Sequence, residues 1–367
     1  MKKFALAILS LHCLLGVAQI GGNHTYEFLN IPVSARVAAL GGNALAVYDD
    51  DSNLGLDNPS LLNATMHSTL SLTYIDYLAD VNYGFVSYTK QFKKLGTFSG
   101  GLKYVNYGTF LETDEGGNEL GNFTAGEYAL VLGWGYSLDS SFSVGANLKP
   151  VYSSLYTYNS FGVALDVAAT YNNKAKLFTT SLVIKNIGRQ IKPFTEGNIE
   201  PLPIEIQWGL SKQMEHVPIR LLLNLTNLQK WDLTYNDSIT NPAQSFDITN
   251  PDDNNKKPSF FDKALRHVVV GAEIMPSKSF NVRFGFNYKR RKELALTSKP
   301  GMVGFSWGLG FRIKKFHLSY GSARYHLAGS TNNITVSTKF SEWFTNKPSA
   351  GSKPKKDKKH NKSIKNS

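Results

Sequence analysis

From Ser68 onward, apolar and polar residues alternate with period two over runs of ten or more residues, a pattern that leaves few folds open to the chain. In 303–314, Val303, Phe305, Trp307, Leu309, Phe311 and Ile313 share one face, while Gly304, Ser306, Gly308, Gly310, Arg312 and Lys314 share the other. In 280–289, Phe280, Val282, Phe284, Phe286 and Tyr288 oppose Asn281, Arg283, Gly285, Asn287 and Lys289; in 128–138 the apolar row is Tyr128, Leu130, Leu132, Trp134, Tyr136 and Leu138. A soluble sandwich buries such rows in a shared core and needs strands of only about five or six residues. These runs are longer, and they match the roughly 9 to 11 tilted residues that cross a bilayer.

The connections point the same way. Short links at 93–96, 139–141, 172–176, 215–217, 276–279 and 314–315 alternate with longer ones at 76–82, 108–123, 153–158, 188–202, 229–264, 292–301 and 323–333. Outer-membrane barrels have tight periplasmic turns and long external loops. The sequence therefore predicts an all-β fold, a transmembrane antiparallel β-barrel of about fourteen strands over 68–344, in the outer membrane and in contact with its lipid. An even strand number predicts both termini on the periplasmic side.

Residues 1–18 read as a signal peptide, with Lys2 and Lys3 before an apolar run and small residues at Gly16 and Ala18. Cys13, the only cysteine, would leave with it, and thiol chemistry with it. The formal charge of +12 raises the question of nucleic acid, yet residues 19–344 hold 30 basic and 27 acidic side chains. The basicity belongs to 345–367, a tail of Lys, Ser, Pro and Asn without apolar period, expected to be disordered. Nucleic acid is not an expected partner.

Residues 19–67 do not alternate and precede the first strand, so they are expected to plug the barrel. A helix is predicted from an N-cap at Ser34 to Leu40, stopped by Gly41 and Gly42, and Asn58-Pro59 predicts a turn. Phe28-Leu29-Asn30, Pro32-Val33-Ser34-Ala35-Arg36, Ala39-Leu40-Gly41-Gly42, Asp49-Asp50-Asp51 and Asn58-Pro59-Ser60 carry a resemblance to the FadL-like barrels of the type IX secretion system; Ser60 stands where that family commonly has alanine. The resemblance implies a fourteen-stranded plugged barrel that anchors a surface partner in the complex attaching secreted cargo to the cell. It implies PorZ, PorU and PorV as partners. The alternative is a FadL-like channel for hydrophobic small molecules, which needs an apolar inner row where the sequence offers mostly Gly, Ser, Asn, Arg and Lys.

Catalytic patterns lack their context, so no enzyme activity and no cofactor are expected. Gly304-Phe305-Ser306-Trp307-Gly308 fits a nucleophile elbow, but alternation runs through Ser306 and leaves no turn or helix after it. Ser87 and Lys90 have Ser-x-x-Lys spacing on a strand, where that motif belongs on a helix. Asp49, Asp51 and Asn53 begin a calcium-loop spacing, yet Leu54 and Ser60 stand where glycine and glutamate are required. The mature histidines lack ligand spacing, so no metal site is expected. Two candidate sites remain. Asp49, Asp50 and Asp51 are expected to hold the plug by pairing with the inner-row cations Arg283 and Arg312, against the plainer reading of a solvated turn. Trp231, Tyr235, Phe246, Phe260 and Phe261 in 229–264 are candidates for partner binding, against loop self-packing or an interfacial aromatic belt.

Overall fold

The computed structural model describes residues 24–77, 81–234, 259–295, 301–326 and 329–344. The expected signal peptide, Tyr235, Phe246 and the lysine-rich tail lie outside them.

Fourteen antiparallel strands close into one barrel, each paired with its sequence neighbours and the last paired with the first. The first seven are β1 (Thr69–Asp76), β2 (Asn82–Phe92), β3 (Gly96–Thr113), β4 (Glu119–Ser137), β5 (Phe142–Leu155), β6 (Tyr158–Asn173) and β7 (Phe178–Lys192). The others are β8 (Glu205–Gln213), β9 (Ile219–Leu225), β10 (Val268–Ser277), β11 (Phe280–Asn287), β12 (Phe305–Ile313), β13 (Phe316–His326) and β14 (Gly329–Lys339). Closure leaves no strand edge, which a bilayer demands because lipid offers backbone groups no partner.

The alternating rows face as their chemistry requires. Leu130, Leu132, Phe284, Phe305, Trp307 and Ile334 are exposed on the outer wall, while Ser71, Thr73, Asn147, Gln207 and Asn224 are buried inside. Outward aromatic pairs such as Phe286–Phe305 and Trp307–Tyr320, with centroids 4.7 and 5.5 Å apart, tie neighbouring strands. The barrel ends at Lys339, and a turn of helix, Ser341–Phe344, sets Trp343 against Phe316 at 5.5 Å.

Three of the expected long connections are strand instead. β3 runs to Thr113 and β4 begins at Glu119, so much of 108–123 is a hairpin continuing past a register shift after Asn106. Both of its faces are largely exposed, so nothing there enforces alternation; cross-strand stacking of Phe110 on Phe123 at 5.2 Å supports it. Likewise 153–158 narrows to a tight link between Leu155 and Tyr158, and 323–333 is mostly β13 and β14. Two smaller departures concern the alternating runs: Tyr288 and Lys289 belong to a helix, and Val303 precedes β12 and is buried.

Residues 24–67 fill the lumen. The predicted helix is α1 (Ala35–Ala39), with Ser34 accepting a hydrogen bond from the Val37 amide, a cap worth about 1 kcal/mol. Gly41 and Gly42 follow it at φ 89° and 98°, a conformation that ends a helix cheaply only with glycine. α2 (Leu54–Asp57) leads into the Asn58 turn, where the Asn58 side chain accepts from the Ser60 amide. Thr69 and Lys339 stand together at the end of the barrel with short links, as an even strand count requires. The plug begins at the other end: the Thr25 amide donates to the Pro201 carbonyl, within the long connection between β7 and β8. Thr25 and Lys339 therefore lie at opposite ends of the barrel, because the plug threads the lumen before β1 starts.

Candidate functional site

At the short-link end, Arg36 of α1 organises a buried charge network. Its Nε and Nη2 donate to Glu273 on β10 at 2.8 and 2.9 Å, its Nη1 and Nη2 to Asp49 at 3.1 and 2.7 Å, and its Nη1 to Asp51 at 3.3 Å. Glu273, 1% exposed, also accepts from Arg220 and Arg283, each at 2.8 Å. Arg220 reaches Asp49 as well, at 3.1 Å. Three cations and three carboxylates thus join plug to wall. Burial pushes the Asp49 carboxyl up, but the charges of Arg36 and Arg220 outweigh it and hold it below its ordinary value.

The expected partners are rearranged. Arg283 pairs with Glu273, and the aspartates meet Arg36 of the plug itself. Asp50 pairs with Lys339 at 2.7 Å, and Arg312 with Glu342 at 3.2 Å, outside the network. All five residues nevertheless line one cavity of about 170 Å³ at this end. Arg36, Arg220 and Glu273 were the residues missed. A carboxylate alone on the inner row of β10, between Val269, Gly271 and an alternating outer row, was the available signal for Glu273. The calcium-like spacing serves local turns: Asp51 accepts from the Asn53 backbone amide and side chain at 3.1 and 2.9 Å.

In the middle of the lumen the wall fits the plug backbone closely. Ser306 donates to the Ala39 carbonyl and accepts from the Gly41 amide, both at 3.0 Å, so the serine of the elbow-like motif fastens the end of α1. Lys185 pairs with Asp57 at 2.9 Å, and Lys149 with Asp166 at 2.6 Å. Asn186, left-handed at φ 60° in a break of the β6–β7 register, reaches Asn30 and the Pro203 carbonyl through its side-chain amide at 2.8 and 3.0 Å.

Toward the long-connection end the inner wall turns apolar on one side. Ile75, Tyr83, Val105, Ala129, Val151 and Ala164, one from each of β1 to β6, form a chamber capped by Leu202. Tyr26, Phe28 and Leu29 of the plug fill it. Lys103 donates to the Leu29 and Ile31 carbonyls at 3.2 and 2.8 Å, and nearer the long-connection end Tyr107 donates to Glu127 at 2.5 Å. A cavity of about 540 Å³ at the same end has a mixed lining, with Glu27, Asn43, Glu205 and Lys289 beside Ile204 and Leu233. The inner row is thus less uniformly polar than the sequence implied, because its apolar members are single residues on six separate strands.

Of the aromatic candidates described, Trp231, Phe260 and Phe261 cluster at this same end. Phe260 and Phe261 open the helix α3 (Phe260–Leu265); Trp231 lies 5.2 Å from Phe260, and Phe260 lies 5.9 Å from Phe261. Trp231 stacks on the His267 ring at 5.7 Å, which holds it in place, and Phe261 is 76% exposed.

These features define a transmembrane β-barrel of the outer-membrane type, with its lumen plugged by its own N-terminal segment. No protein family and no curated protein matches the chain. Among solved structures it is similar to the Ralstonia pickettii toluene transporter TbuX, at 12% identity and a TM-score of 0.49 over 85% of this chain and 99% of that one. The Pseudomonas putida toluene transporter TodX gives 13%, 0.49, 87% and 99%, and a Pseudomonas aeruginosa FadL homologue gives 10%, 0.46, 84% and 98%.

Proposed function

We propose that this barrel is an outer-membrane channel for apolar small molecules, held shut by its own N-terminal segment. The observation that carries the reading is the apolar chamber of β1 to β6, filled by Tyr26, Phe28 and Leu29. An apolar surface inside a lumen has no use in a water-filled pore, and a lumen sealed for good needs no separate apolar stopper beyond its charge network. With the stopper withdrawn, the chamber would offer a concave apolar site in the half of the barrel with long connections, the half that faces outward in barrels of this kind. Truncating a buried Phe to Ala removes about 3–5 kcal/mol of packing. Cells carrying Tyr26→Ala together with Phe28→Ala should therefore take up the apolar dye N-phenyl-1-naphthylamine several-fold faster than cells carrying the unaltered barrel. Equal uptake by cells carrying the variant and cells carrying the unaltered barrel, with both proteins folded in the membrane, would sink the proposal.

A second reading is favoured by the exposed cluster of Trp231, Phe260 and Phe261. It makes the barrel a PorQ-like component of the type IX machinery, resting on the resemblance in 28–42 and 49–62. Aromatic residues concentrate binding energy at interfaces, where losing one commonly costs about 2 kcal/mol or more. On this reading, a tagged barrel should recover PorZ, PorU or PorV from outer membranes, and Phe260→Ala with Phe261→Ala should lower recovery at least tenfold. Unchanged recovery with both rings removed would take the cluster out of any such contact.

A further inference from the structure

A second cavity of about 260 Å³ opens at the long-connection end, and its walls combine a buried cation with two tyrosine rings. The cation is Arg290, in the helix α4 (Tyr288–Leu294) that follows β11. It is 8% exposed, yet among the described residues no carboxylate pairs with it, and its Nη1 has no hydrogen-bond partner. The guanidinium lies 3.9 Å from the centre of the Tyr325 ring, and its Nη2 donates to the Tyr325 hydroxyl at 3.1 Å. Tyr77 meets Tyr325 edge-on at 5.4 Å, and Ile31 and Pro32 of the plug close the far side. Glu27, whose side chain is 62% exposed, stands on the rim and joins the cavity to solvent.

We infer that this cavity binds a small aromatic monocarboxylate. A buried guanidinium left unpaired is costly, and the planar group that best relieves it is a carboxylate, taken through parallel N–H donors. Tyr325 and Tyr77 offer ring edges and faces to the body of the ligand, as Ile31 and Pro32 offer apolar contact. The space is sufficient for one ring, since a cavity of about 150 Å³ accommodates benzene. A single cation inside and a carboxylate on the rim favour one negative charge over two. The site differs from the stoppered chamber in most of its lining, although Ile31 and Tyr77 border both. It is present with the plug seated, so binding here needs no opening of the channel.

The test is calorimetric titration of the full-length barrel in neutral detergent with benzoate, benzyl alcohol, acetate and inorganic phosphate. Benzoate should bind saturably and at least tenfold more tightly than the other three, each of which lacks the charge, the ring or both the ring and the planar carboxylate. Arg290→Gln should weaken benzoate binding at least tenfold while heat-modifiable migration on gels is kept, and Arg290→Lys should fall between. Should Arg290→Gln not fold, the comparison among ligands on the unaltered protein decides. Benzyl alcohol binding as tightly as benzoate would overturn the role of Arg290, and phosphate binding as tightly would overturn the aromatic carboxylate. Dye uptake through the chamber is a separate measurement, so the two proposals fail separately.

Discussion

Replacing Glu273 with glutamine should unseat the plug. The carboxylate is the one group that touches all three arginines of the network, and it joins the plug, through Arg36, to the wall at β9 and β11. Glutamine keeps the shape but leaves three guanidinium groups facing two aspartates, and its amide hydrogens face donors. Removing one partner of a buried ion pair costs about 3–5 kcal/mol, because the other charge stays buried and uncompensated. A domain's whole stability margin is about 5–15 kcal/mol, so the effect should be large. The expected result is a lower unfolding temperature and step-like conductance in planar bilayers where the unaltered protein gives little. Asp50→Asn is the control, since it breaks only the partly exposed pair with Lys339, worth about 1 kcal/mol or less. Acid should act on the same network from the other side. The Asp49 carboxyl is held below its ordinary value, so its contribution is complete above the unfolded aspartate pKa of about 3.9 and is lost as pH falls from there toward the folded value. Conductance of the unaltered barrel should therefore rise only on acidification below that point. If Glu273→Gln leaves conductance and unfolding temperature as they were, the network does not hold the plug.

The barrel was legible because a bilayer imposes one rule on every strand: outward residues must be apolar, whatever the strand does inside. That rule is local, so Leu130, Phe284 and Trp307 declared their faces without knowledge of any partner. Where the bilayer ends the rule lapses, and there the reading failed. The β3–β4 hairpin beyond Asn106 looked like a loop because both faces are largely exposed. Alternation seemed to continue through Tyr288, although Asn287 caps a helix there by accepting from the Arg290 amide at 2.9 Å. Asparagine before a run of Lys, Arg and Glu was a signal for a helix start, and the apolar period at 280–286 outweighed it.

The inside of the barrel was much less legible, for a related reason. Lumen chemistry depends on which of the fourteen strands stand opposite which plug residue, and nothing in the order of residues encodes that distance. The aspartates at 49–51 announced a charge cluster, but their partner Arg36 lies 13 residues away from Asp49 inside the plug, and Glu273 is 237 residues from Arg36. The apolar chamber was hidden more completely. Its wall is one residue from each of six strands, and each alone is an unremarked exception in a polar row.

Inner-row glycines were read as small lumen lining, and the structure gives some of them a stronger duty. A side chain at Gly285 would overlap the Leu40 carbonyl carbon and the Gly41 amide nitrogen, and one at Gly145 would overlap the Pro59 carbonyl and the Ser60 amide. The obstacles are plug backbone, which cannot turn aside as a flexible side chain would. Forcing extra carbons into a packed site costs about 1–3 kcal/mol and occasionally more, and two distant sites add. Valine suits a strand, so the wall itself has no reason to reject it. The double variant Gly145→Val with Gly285→Val should therefore form a barrel that migrates as a folded, heat-modifiable species while its plug is displaced. Expected readouts are conductance well above that of the unaltered barrel and rapid protease cleavage within 24–67, a stretch that should otherwise be protected by the wall. The single variants should fall between, since each unseats one contact and leaves the Arg36 network intact. A folded double variant with unchanged conductance and a protected plug would mean that the plug backbone shifts to accommodate the side chains, and that the fit between wall and plug is not what closes the lumen.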